Sequence, residues 1–138
     1  MTVDELKKIN EHFYDEVFRR RNVGAIDELL TDDFVEHNPT PGIPPDREGA
    51  KQLIGQVLAA FPDLEIEIER EVAEGDTVAA ALRFTGTHRG EFAGMPATGR
   101  RASVAVADVT RFRDGKCCEH WGVVDMAGLM AQLGASPS

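Results

Sequence analysis

Cysteine is nearly absent from this sequence. The two present, Cys117 and Cys118, are adjacent, so in an extended strand they point to opposite faces and cannot bond to each other. Both are expected to stay reduced. Positive charge is also scarce, with 15 Lys and Arg against 24 Asp and Glu and a formal net charge of -9. That balance repels nucleic acid and anionic membranes, and Arg19-Arg20-Arg21 and Arg100-Arg101 are too short to reverse it. No run approaches the roughly 18 apolar residues that cross a bilayer, and MTVDELKKIN lacks the apolar stretch of a secretory signal. A cytoplasmic protein without nucleic-acid or membrane partners is expected. Metal-ligand spacings such as His-x-His or Cys-x-x-Cys are missing, and the four histidines are scattered, so no metal site is expected. Neither a phosphate-binding glycine loop nor a nucleophile elbow occurs.

What is present suits one domain spanning residues 1–138: the hydrophobic content is 42%, enough for one core, and no shift in composition divides the chain. Thr2-Val3-Asp4-Glu5 has the form of a capping box, and Leu6, Ile9, Phe13 and Val17 follow at helical spacing, which predicts a first helix to about Arg21. Asn22 is placed to cap a short second helix with Ile26, Leu29 and Leu30 on its apolar stripe, ended by Thr31-Asp32-Asp33. The prolines and glycine of HNPTPGIPPD, 37–46, predict a loop, after which Asp46 caps a third helix that Pro62 stops. From Leu64 the period changes to two: Leu64, Ile66 and Ile68 alternate with glutamates, Glu74-Gly75-Asp76 turns, and Val78, Ala80, Leu82, Phe84, Gly86 and His88 share one face of the next strand. GEFAGMPATG, 90–99, reads as a second, flexible loop. The C-terminal MAGLMAQLG reads as a short helix between Asp125 and Gly134.

Between that loop and the last helix lies a long hairpin, RRASVAVADVTRFRDGKCCEHWGVVD. Asp114-Gly115 supplies the two positive-φ residues of a type I′ turn, and that turn sets a register in which Phe112 faces Cys117, Thr110 faces Glu119, Asp108 faces Trp121 and Val104 faces Asp125. One face then carries Val104, Val106, Asp108, Thr110, Phe112, Cys117, Glu119, Trp121, Val123 and Asp125. It has the bulk of a core yet bears three carboxylates, which are rarely buried unless paired, hydrogen-bonded or protonated, so it reads as a pocket wall. His120 falls on the opposite face and is assigned to the outer sheet.

Helices followed by an antiparallel sheet give an α+β order. Asp33-Phe34 with Glu36-His37-Asn38-Pro39, Phe61-Pro62-Asp63, Gly86-Thr87-His88, Gly94-Met95-Pro96-Ala97-Thr98-Gly99, Arg111-Phe112 with Asp114-Gly115-Lys116, Glu119-His120-Trp121 with Asp125, and Gln132-Leu133-Gly134 occur in order over roughly residues 5–134. Together they resemble the SnoaL-like polyketide cyclases of the NTF2-like superfamily, to which the ketosteroid isomerases also belong. The resemblance implies a cone in which a strongly curved, mixed or antiparallel sheet wraps three N-terminal helices, with a short C-terminal helix and a deep apolar pocket. It implies a cofactor-independent enzyme in which a buried carboxylic acid drives intramolecular aldol closure of a polyketide ester, a small apolar or aromatic carbonyl substrate. A homodimer through the outer sheet face is implied as well, and the small residues Ala105, Ala107 and Gly122 would allow close packing there.

Four side chains are the catalytic candidates, Asp108 and Asp125 as acid/base and His37 and His88 as orienting or enolate-stabilising donors. Asp108 lies mid-strand on the presumed core face, either as general acid/base or as a structural carboxylate tied to Tyr14, a histidine or a backbone amide. Asp125 is a helix cap that hairpin parity also directs inward beside Trp121, where desolvation would raise its pKa. His37 stands at the lip of the proline loop, which the resemblance sets at the pocket mouth, with a surface loop histidine the competing role; His88 ends an inward row, with a satisfied core-edge histidine the competing role; either beside a carboxylate would make an acid/base pair. Tyr14, Phe34, Asn38, Phe84, Phe92, Met95, Glu119 and Trp121 are the candidate substrate-binding residues, with plain core the competing role for the aromatics and Met95, and a solvated salt bridge for Glu119. In the isomerases, a carboxylate at the position resembling Asn38 is the base, and Ala105 stands where their oxyanion aspartate would be, so steroid isomerisation is disfavoured. A non-catalytic small-molecule carrier or interaction domain is the main alternative to cyclase chemistry, and an isomerase or dehydratase is the third.

Overall fold

A computed structural model describes residues 1–134. Helix α1, Val3–Phe13, starts at the capping box, where the Thr2 hydroxyl accepts from Glu5 N–H and the Glu5 carboxylate from Thr2 N–H. It continues into a wider, π-helical turn, Tyr14–Arg19, that buries Tyr14, Val17 and Phe18. A single 3-10 turn, Val23–Ala25, leads into α2, Ile26–Leu29. The second helix is shorter than its apolar stripe suggests, because Leu30 already opens strand β1, Leu30–Glu36. Helix α3, Arg47–Ala60, begins at Asp46, whose carboxylate accepts from Gly49 N–H, and ends just before Pro62.

The remaining strands are β2, Glu65–Glu74, β3, Thr77–Thr87, β4, Arg101–Arg113, and β5, Lys116–Val124, followed by helix α4, Met126–Gln132. The curved sheet has the order β1-β5-β4-β3-β2, antiparallel throughout except that β1 runs parallel to β5. The expected α+β cone is therefore observed. Its core is the concave face of the sheet, where Val78, Leu82, Val104 and Val106 pack against Leu6, Val17, Phe18 and Ile26. Asp114 and Gly115, at φ 52° and 79°, make the predicted turn between β4 and β5. The second loop is more ordered in form than expected: Phe92 and Met95 exchange both backbone hydrogen bonds around Ala93 and Gly94, a two-residue hairpin turn at positive φ.

Two bulges reset which residues face the core. In β5 the register passes from Phe112 opposite Cys117 to Arg111 opposite Glu119, leaving Cys118 as an extra residue. In β2 it passes from Ile68 opposite Leu82 to Arg70 opposite Ala81, with Glu69 as the extra residue. One inserted residue inverts the facing of every residue beyond it. Past the first bulge His120, Gly122 and Val124 turn to the concave side, while Glu119, Trp121 and Val123 turn outward. Past the second, Glu71 turns inward, where its carboxylate accepts from the buried Asn10 amide at 2.9 Å and burial raises its pKa.

Candidate active site

The register shift at Cys118 overturns the predicted arrangement of the hairpin. Asp108 pairs with Gly122 and not with Trp121, so the side chain brought beside it from the neighbouring row of β5 is His120. The His120 Nε2–H donates to Asp108 Oδ1 at 2.9 Å, and Nδ1–H donates to Glu36 Oε1 at 2.5 Å. Glu36 is delivered by the parallel pairing of β1 with β5, which sets it opposite His120 in the ladder. The second Asp108 oxygen, Oδ2, accepts from the Tyr14 hydroxyl at 2.7 Å, a contact that the π-helical turn permits by burying Tyr14. The side chains of Asp108, His120 and Glu36 are 13%, 25% and 21% exposed, so the cluster is enclosed but not sealed.

A carboxylate offers only acceptors, so a ring with a carboxylate on each nitrogen satisfies both only when both nitrogens carry hydrogen. Burial opposes the charge on His120, but the hydrogen bonds and charges of Asp108 and Glu36 outweigh it and raise the pKa to about 10. The ring is thus an imidazolium at neutral pH. Tyr14 is pushed well above its usual range by burial and by the Asp108 charge, and Cys117, buried behind the two carboxylates, likewise stays a thiol.

Beside this cluster lies a cavity of about 700 Å³. Its wall includes Phe61, Phe84 and Phe92, with Asn38, Pro39 and Pro41 of the 37–46 loop on one side and Gly122 near the Asp108–His120 cluster. A Cβ on Gly122 would come within 2.5 Å of His120 Cε1 and 3.2 Å of Asp108 Oδ1. Only glycine leaves room there for the pair. Asn38 donates its amide to the Gly122 carbonyl at 3.2 Å, and its backbone N–H to Glu36 Oε2 at 3.1 Å, so the loop is anchored to the cluster at two points.

Several expected site residues lie elsewhere. Asp125 does not point inward: its side chain is exposed and caps α4, accepting from Gly128 N–H at 2.9 Å. Trp121 and Glu119 are on the convex face, because the bulge reverses them. His37 lies there with them, stacked on Trp121 at a centroid distance of 4.4 Å and bonded through Nε2 to Glu119 at 3.0 Å, a carboxylate that Arg111 also holds at 2.8 Å. His88 is fully buried, as its inward row suggested, but it braces the second loop: Nδ1 accepts from Thr98 N–H at 3.2 Å and the ring stacks on Phe61. Neither His88 nor the Tyr14–Asp108–His120–Glu36 cluster forms the cavity wall itself; the cluster adjoins it through Gly122 and Asn38, and His88 does not. Phe34 is core, and Met95 packs against the core from the 92–95 turn. Of the expected lining residues Asn38, Phe84 and Phe92 do border the cavity. His120, Glu36 and Gly122 were missed as site residues; the one available signal was that Asp108 on a buried face needs a charged or hydrogen-bonding partner. Among the described residues, no group of three His, Cys, Asp or Glu converges to hold a metal ion.

An α+β cone with a carboxylate–imidazolium pair beside a cavity defines a class of small pocket proteins. A family model of SnoaL-like polyketide cyclases matches residues 8–133, and the chain belongs to that family. It is 34% identical over 121 residues to nogalonic acid methyl ester cyclase of Streptomyces nogalater, covering 85% of this chain and 89% of that one. It is 37% identical over 107 residues to aklanonic acid methyl ester cyclase DnrD of Streptomyces peucetius, covering 78% of this chain and 72% of the relative. Among solved structures, AclR of Streptomyces galilaeus, for which a hydroxylase role has been suggested, superposes with a TM-score of 0.84 at 33% identity, over 99% of this chain and all of that one. One fold hosts several chemistries, so the reaction has to be argued from the site.

Proposed function

We propose that this protein closes a ring in a neutral polyketide-type ester by cofactor-independent acid/base catalysis, with Asp108 as the base. The observation that carries the reading is the Asp108–His120 pair beside a cavity wall built mainly from apolar side chains. Tyr14 and His120 each occupy one lone pair of Asp108, and a carboxylate retains others to accept a proton. Asp108 takes the proton from the carbon α to the substrate carbonyl, and the electron pair moves onto the carbonyl oxygen as an enolate. Asn38, with a second amide hydrogen beyond the one given to Gly122, is the donor for that oxygen. The enolate carbon then attacks a second carbonyl of the same molecule, and the new alkoxide recovers the proton from Asp108. The reaction is an isomerisation with no net proton change.

Charge supports a neutral substrate. Asp108, Glu36 and the imidazolium sum to one negative charge, and no Lys or Arg lines the cavity among the described residues. A free carboxylic acid would be repelled, whereas an ester would not. Two of the relatives named above agree with this, since both are methyl ester cyclases by name. The test is turnover of aromatic polyketide methyl esters carrying an enolisable position. Asp108→Asn keeps the shape and removes the base, and a single positioned base contributes about 10²–10⁴-fold. A loss of that size with an unchanged melting profile is expected; undiminished turnover would remove Asp108 from the mechanism and favour the carrier reading.

A further inference from the structure

We infer that Glu36, at the end of β1, is a positioning residue of the site, fixing the ring of His120 so that its Nε2–H is presented to Asp108. This inference rests on the reading of Asp108 as the base. Three contacts support it. The Nδ1–H of His120 ends on Glu36 Oε1 at 2.5 Å while Nε2–H ends on Asp108 at 2.9 Å, so the imidazole is held at both ends and its plane cannot turn. Glu36 is itself fixed, by pairing opposite His120 in the ladder and by Asn38 N–H on its second oxygen. Its backbone N–H donates to the Pro45 carbonyl at 2.9 Å, which ties it to the far end of the loop whose Pro39 and Pro41 line the cavity. Glu36 therefore links the acid/base pair to the cavity rim.

The chemical consequence concerns which group acts as base. A histidine with one carboxylate and one free nitrogen can lose a proton and compete with Asp108 for the substrate hydrogen. With Glu36 on Nδ1, both nitrogens remain donors, so His120 acts as a fixed positive charge that stabilises the Asp108 carboxylate, and proton abstraction falls to Asp108 alone. The groups facing the ring are Asp108 from β4 and Glu36 from β1, with the Tyr14 phenol behind Asp108 and the Cys117 thiol behind both carboxylates; the last two stay neutral. Glu36 is thus one of two charges that keep the ring protonated. An opposite charge in contact typically shifts a pKa by about 1–3 units.

The experiment is a ring-nitrogen NMR titration of His120 in the full chain, in wild type, Glu36→Gln, Glu36→Asp and Glu119→Gln. It needs no substrate. Wild-type His120 is expected to stay doubly protonated beyond pH 9, and Glu36→Gln to lower its titration by about 1–3 units with the fold intact by amide dispersion. Glu36→Asp restores the charge one methylene short and is expected to recover part of the shift. Glu119→Gln, on the opposite face beside His37, is expected to leave His120 unmoved. If Glu36→Gln titrates as wild type does, or if Glu119→Gln produces the same shift, Glu36 is not the positioning group. Failure of the cyclase reading would show separately, as undiminished turnover in Asp108→Asn with these titrations unaltered.

Discussion

At the scale of single residues, protonation of His120 links pH to stability. Its folded pKa, about 10, lies above the ordinary histidine value, so the folded state holds a proton that the unfolded chain releases near 6.5. The contribution is fully present below about pH 6.5 and is lost progressively as pH rises through about 10. Urea midpoints measured from pH 6 to 10.5 are expected to fall over that window in wild type, with a flatter dependence in His120→Gln. Asp125 supplies the contrasting case. Because it caps α4 from an exposed position, Asp125→Ala is expected to cost about 1 kcal/mol of stability and leave turnover unchanged, read by thermal melting beside a turnover assay. The inward placement of Asp108 was legible because three apolar neighbours at the same parity, Val104, Val106 and Phe112, make a charged residue among them conspicuous. The partners of Asp108 were legible only in part: Tyr14 was foreseen as one candidate, whereas His120 was placed on the wrong face.

At the scale of elements, that error has one cause. The caps, the Asp-Gly turn and the alternation of β3 and β4 are local signals, and they survive into the structure because each depends on a few consecutive residues. A bulge is different. The extra residue, Cys118, is neither glycine nor proline, and its neighbour Cys117 is equally suited to a buried strand, so nothing local marks the insertion. Its effect then propagates, sending Trp121, Glu119 and Val123 outward and His120, Gly122 and Val124 inward. Glu69 in β2 does the same for Glu71, so in both strands a bulge is what delivers a polar side chain to the concave face. Bulges concentrate where a strand must re-aim a side chain. Gly122 gives this a direct test at the element scale. A methyl group at Gly122→Ala meets His120 Cε1 at 2.5 Å, closer than real Cβ contacts come, and Asp108 Oδ1 at a tight 3.2 Å, so the His120 ring has to shift away from its place beside Asp108. Turnover is expected to drop more than tenfold while circular dichroism stays native; undisturbed turnover would mean that the strand relaxes without cost to the site.

At the scale of the whole molecule, the bulge also changes the surface available for self-association. Gly122 leaves the convex face, and Val123, 63% exposed, takes its place opposite Ala107. Exposed Ala105, Ala107 and Val123 beside the Trp121–His37 stack make that face the reasoned site for a homodimer. Sedimentation velocity is expected to show a dimer for wild type and a monomer for Val123→Glu. The proposed acid/base pair lies on the opposite side of the same strands, so the two proposed roles of β4 and β5 are separable by face. The proposed mechanism assigns proton abstraction to Asp108, held by His120, and not to the exposed Asp125. Deuterium wash-in from solvent at the α carbon of an enolisable aromatic β-keto ester, followed by proton NMR, reports that step without requiring the natural ring closure. Wild type and Asp125→Asn are expected to exchange at equal rates, with Asp108→Asn slower by about 10²–10⁴-fold. Exchange that persists in Asp108→Asn, or disappears in Asp125→Asn, would contradict the assignment.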